Sequence, residues 1–135
     1  MLLNMTNQEE IEITKENDIA VIGKRFDGII HIFYKKGVTI NPEAIEKVLG
    51  LILDFVPVGK KPFLIEADDY VTFQDEGRIY MSQNEYRIPS SKIAMLLENI
   101  GYRLILNHYI KNNTSKKDYN IFNEIDPAVE WLLKD

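Results

Sequence analysis

Apolar positions along the chain fall into two rhythms, a dense short run and a longer helical stripe, and their order predicts the elements. Ile19 to Phe26 and Ile29 to Lys35 are rich in β-branched and aromatic residues and meet at Asp27-Gly28. These residue types suit a two-residue type I′ turn, so an antiparallel hairpin is expected. Asn41-Pro42 then supplies a helix start, with Asn41 as N-cap and Pro42 at the first helical position. Ala44, Ile45, Val48, Leu49, Ile52 and Leu53 recur at helical spacing to about Phe55, which marks a core-facing stripe.

After Pro57 to Pro62, the run Phe63 to Ala67 predicts a third strand, closed by Asp68-Asp69. Thr72 is expected to cap a second helix, with Asp75 three residues on and Phe73, Gly77, Tyr80, Met81 and Asn84 along one face. Gly77 lies on that face, and a glycine inside a helix costs roughly 1 kcal/mol relative to alanine, so close approach of the helix to the sheet is the expected reason for it. Pro89-Ser90-Ser91 reads as the helix stop. Lys92 to Leu97 predicts a central strand with apolar side chains on both faces. Gly101 to Asn112 predicts a third helix and Tyr119 to Phe122 a fifth strand. A fourth helix opens at Asn123 and Asp126-Pro127 and carries Ala128, Trp131 and Leu132 inward. Strands that alternate with helices in this way indicate an α/β domain.

Composition adds bounds. The 135 residues suit one domain, expected over residues 19–135 behind a polar lead of residues 1–18. Hydrophobic residues at 45% and charged residues at 27% are ordinary for a globular chain. Sixteen basic against 21 acidic residues leave a net charge of −5, which disfavours a nucleic-acid partner. The chain has no cysteine, which removes thiol chemistry and agrees with a cytoplasmic location. The start lacks the basic and apolar segments of a signal peptide. The longest apolar region, Val48 to Val56, is broken by Asp54 and falls short of the roughly 20 residues that span a bilayer.

Three segments carry a resemblance: Gly28-Ile29-Ile30-His31-Ile32, Asn107-His108-Tyr109-Ile110-Lys111, and Ile121-Phe122-Asn123 with Ala128-Val129-Glu130-Trp131-Leu132. Together they resemble a family of small bacterial proteins that looks like the anti-sigma factor antagonist, or STAS-like, fold, and the likeness runs from about Ile19 onward. It implies a hairpin followed by right-handed βα units in a mixed, mostly parallel five-stranded sheet with four helices. Phosphorylation-regulated antagonists of that fold carry a serine at the start of the helix after the third strand. Here the matching segment is Thr72-Phe73-Gln74-Asp75-Glu76-Gly77, which puts Asp75 or Glu76 at that position and leaves Thr72 as the nearby hydroxyl. The departure argues against a phosphoserine switch, and the helix dipole alone favours acids there.

No cluster matches a catalytic, metal or nucleotide signature, so neither a catalytic residue nor a cofactor is expected. His31 and His108 have no third ligand for zinc. The acids Glu66, Asp68, Asp69, Asp75 and Glu76 cannot all converge, because strand alternation sends Glu66 and Asp68 to the face opposite Ala67 and Asp69. Arg103 and Asn107 stand one helical turn apart and can share a partner. The candidate interaction residues are therefore Asp68, Asp69, Thr72, Asp75, Glu76, Arg103 and Asn107. The expected role is that of a non-enzymatic cytoplasmic module that binds another protein or itself as a homodimer. The alternative is a small-molecule or lipid-binding domain, or a minor enzyme, with a pocket between the sheet and the second or third helix near Asp68.

Overall fold

The computed structural model describes residues 11–56, 59–67, 70–98, 100–101, 103–104, 107–108 and 118–134. The first strand, β1 (Ile11–Glu16), is followed by β2 (Ala20–Arg25) and β3 (Ile30–Tyr34). Then come β4 (Thr39–Ile40), α1 (Pro42–Phe55), β5 (Lys61–Glu66) and β6 (Thr72–Phe73). Helix α2 (Asp75–Asn84) runs into a 3-10 turn, Glu85–Arg87, before β7 (Ser90–Leu96), β8 (Tyr119–Phe122) and α3 (Ile125–Leu133).

Six strands form a mixed sheet in the order β1-β2-β3-β5-β7-β8. The β1-β2 and β2-β3 pairs are antiparallel, and the remaining three are parallel. The α/β class, the leading antiparallel pair and the mostly parallel remainder follow the expectation, but the strand count does not. β1 lies inside the expected polar lead. An edge strand pairs on one side only, and this one carries Glu12, Lys15 and Glu16, so its apolar signal is weak. β4 and β6 pair in parallel as a separate two-stranded ribbon, too short for any periodicity to announce. The helix expected over Gly101 to Asn112 lies largely outside the described residues, although those described between 100 and 108 are helical. Three helices are described from end to end.

Local chemistry explains the elements that agree. Asn41 caps α1, its side-chain oxygen accepting from the Ala44 amide at 2.8 Å with Pro42 next to it, and the helix ends at Phe55. The hairpin turn differs from the expected two-residue form. Gly28 N–H donates to the Arg25 carbonyl and Arg25 N–H to the Ile29 carbonyl, both at 2.9 Å, so three residues form the loop. Gly28 takes φ +91°, the left-handed position that closes such a loop.

Two layers of apolar side chains enclose the sheet. On one face Ile22, Ile32, Phe63, Ile65 and Ile93 meet Ile45, Val48, Leu49 and Ile52 of α1. On the other, Ile29, Leu64, Ala94 and Leu96 meet Ala128 and Leu132 of α3. Trp131, expected inward, is only half-buried: it rests on Phe122 at 5.9 Å between ring centroids, with Lys92 Nζ 5.0 Å from its own ring centroid. β7, expected to be central, stands one place in from the β8 edge.

Candidate functional site

The β4-β6 ribbon fixes where α2 begins. Thr72 N–H donates to the Val38 carbonyl at 3.0 Å and Gln74 N–H to the Ile40 carbonyl at 3.3 Å, so Thr72 belongs to the ribbon rather than capping the helix. Gln74 occupies the cap position in extended conformation without a side-chain bond. The close approach at Gly77 is real, but its neighbour is not the large sheet. A Cβ there would collide with the Ile40 carbonyl and lie 3.4 Å from Asn41 Cα, where β4 turns into α1.

Of the ten residues of α2, Gly77 alone is buried, against six in α1. Tyr80 and Met81 pack partly buried against the core, and polar contacts add to the attachment. The Tyr80 hydroxyl bonds Glu46 of α1, and Arg87 grips the same carboxylate through two nitrogens at 2.6 and 3.1 Å. The Arg87 hydrogen bond, with that of Tyr80 after it, holds the Glu46 carboxyl below its ordinary range. Thr72, Asp75 and Glu76 are all exposed, and Asp75 pairs with Arg78 one turn on. Arg103 is half-buried and Asn107 exposed. Asp68 and Asp69 lie outside the described residues.

The alternation argument for Glu66 holds in three dimensions. Its side chain lies on the α3 face while Ala67 joins the opposite core cluster. Glu66 is buried and bonds His31 Nε2 at 2.5 Å, and His31 is itself wholly enclosed. The periodicity of neither strand marks this pair, although a histidine and a glutamate inside apolar strand runs must find partners if those runs are buried.

Two openings flank these groups. An apolar crevice of about 70 Å³ lies between the sheet and α2, lined by Tyr34, Ile65, Gly77 and Met81 among others. That is far below the roughly 300 to 1,000 Å³ of a small-molecule site. A wider cleft of about 600 Å³ opens at the carboxyl ends of the parallel strands, walled by Phe33, Glu66, Tyr70 and Leu96 and by Glu124 and Ile125 at the start of α3. Lys36 Nζ stands 4.4 Å from the Tyr70 ring centroid at its rim. Among the described residues, no three His, Asp or Glu side chains are placed to hold a metal ion, and no helix is long and apolar enough to cross a membrane.

No curated protein and no solved structure matches the chain. Residues 22–134 match the model of a family described as a domain of unknown function, DUF7793, and this span takes in α2, the cleft and the whole parallel part of the sheet. The chain belongs to the DUF7793 family.

Proposed function

We propose that this chain is a non-enzymatic, cytoplasmic regulatory module on a STAS-like variant of the α/β fold, and that it works by binding another protein through the outward face of α2. The observation that carries the reading is the small share of α2 given to the core: one fully buried residue in ten, with Tyr80 and Met81 partly buried and polar ties adding to the attachment. A helix that contributes so little apolar burial is poorly explained by folding alone. Opposite Gly77, helical spacing puts Asp75, Ile79 and Gln83 in one row with Glu76 beside it. Ile79 is an exposed apolar side chain framed by acids. That surface suits a partner which offers an apolar pocket rimmed by lysine or arginine.

The test uses the tagged full chain recovered from its own cells beside an Ile79→Asp variant of unchanged circular dichroism and melting temperature. A stoichiometric protein retained by the wild type and lost from the variant supports the reading. Identical recovery from both would sink it. A homodimer in native mass spectrometry that Ile79→Asp dissolves would replace the foreign partner with a second copy.

The carboxyl-edge cleft favours a second reading, a small-molecule site, because its volume is right and the buried Glu66 forms part of its wall. Native mass spectrometry of freshly purified protein checks it. A co-purified small molecule whose occupancy falls in Glu66→Gln supports the cleft, and a bare chain argues against it.

A further inference from the structure

The opposite, amino-terminal edge of the sheet carries a groove that neither reading uses. It has a volume of about 830 Å³ and is lined by residues of the Glu85–Arg87 turn and of the connections into β5 and β7. Two of its polar side chains are almost wholly enclosed, Glu85 at 5% and Ser90 at 4% exposure. A register shift accounts for Ser90. Lys61 pairs with Ser90 and Phe63 with Ile93, so β7 carries one extra residue between the two pairs. The bulge turns Ser90 to the same face as Phe63 and Ile93, away from where unbroken alternation would send it. There its hydroxyl is buried without a hydrogen-bond partner. Glu85 accepts from the Tyr119 hydroxyl at 3.0 Å beside it. Tyr86, three-quarters exposed, stands at the rim with the exposed Lys60, Ser91 and Asp118.

We propose that this groove binds a small neutral polyhydroxylated molecule, a monosaccharide or a polyol. An enclosed serine hydroxyl with no partner is a costly arrangement that a bound group would complete. Glu85 and Asp118 outnumber Lys60 in the lining, so an anionic ligand is repelled. A ligand hydroxyl both donates to and accepts from Ser90, and a neighbouring hydroxyl donates to the Asp118 carboxylate at the rim. The exposed ring of Tyr86 offers an apolar face for the carbon skeleton of such a ligand.

The experiment titrates isotope-labelled full-length protein with D-glucose, D-ribose and myo-inositol and follows the amide resonances. The proposal expects at least one of the three to give saturable shifts confined to Glu85 through Ser91 and Asp118. Tyr86→Ala and Ser90→Ala should each weaken that binding about tenfold, the scale of one buried contact, and Ile79→Asp should leave it unchanged. The proposal is overturned if none of the three saturates, or if the shifts persist with unaltered affinity in Tyr86→Ala. That variant removes an exposed ring and so decides the matter without disturbing the enclosed groups. Because Ile79 lies outside the groove, loss of the protein-partner reading leaves this result standing.

Discussion

Tyr34 shows what burial does to a single titratable group. Its side chain is enclosed at the end of β3, and desolvation pushes its phenol up to about 12. The sign follows directly: a folded-state value above the ordinary 10 means the neutral phenol is favoured by folding, so its stability contribution is complete below pH 10 and fades between 10 and about 12. Tyr34→Phe should flatten the alkaline limb of the stability profile, seen as urea midpoints that differ less between pH 9 and pH 11 than in the wild type. Ser90 is the opposite case, an enclosed group with nothing to bond. Ser90→Ala should raise stability by about 1 kcal/mol, because it removes a desolvated hydroxyl at little cost in volume. Calorimetry that showed a lower melting temperature would mean the hydroxyl is satisfied in solution.

Among the elements, α2 depends on geometry more than on burial. Gly77→Ala places a methyl against the Ile40 carbonyl, a backbone atom that cannot rotate away. The expected outcome is a loss of roughly 2 to 3 kcal/mol in urea unfolding instead of the gain that alanine usually brings to a helix interior. The Tyr80-Glu46-Arg87 contacts add to the packing of Tyr80 and Met81 on the core. Glu46 is held below its ordinary value, so this contribution is present above the usual glutamate range and is lost as pH falls through the lowered value. Protection of the α2 amides against hydrogen exchange, taken relative to their intrinsic rates, should therefore fall on acidification before that of the sheet amides, and Glu46→Gln should remove that pH dependence. The contrast with α1 is physical: α1 carries a cap, a proline and six buried side chains in one local sequence, whereas the anchors of α2 come from α1 and β4.

For the whole molecule, the central sheet must be covered on both faces, and the second face relies on α3. Leu132 is 4% exposed and packs with Ala128 against Leu64, Ala94 and Leu96. Leu132→Ala should cost roughly 2 to 4 kcal/mol, read as a parallel shift of the whole denaturation curve with unchanged slope. Trp131→Ala should cost less, because the half-buried indole leaves no closed cavity. A larger effect at Trp131 than at Leu132 would contradict the packing described. The two grooves lie at opposite ends of the same sheet, so the cleft beside Glu66 and the groove around Ser90 can be altered independently.

The sequence by itself determined the features that neighbouring residues create: the hairpin segments around Asp27-Gly28, the capped helix from Pro42 to Phe55, and the β8 strand from Tyr119 to Phe122. Each depends on contacts within a few positions, which composition and period record. Tertiary structure decided what depends on register between distant segments. The β4-β6 ribbon joins positions 33 apart in the chain. The Gly77 approach and the His31-Glu66 pair likewise need two strands or helices already in place. The orientation of Ser90 follows from one extra residue in a strand pairing, and a one-residue shift reverses which face a side chain takes. Periodicity in a single segment carries no record of such a shift, and so the enclosed polar groups emerge only from the folded arrangement.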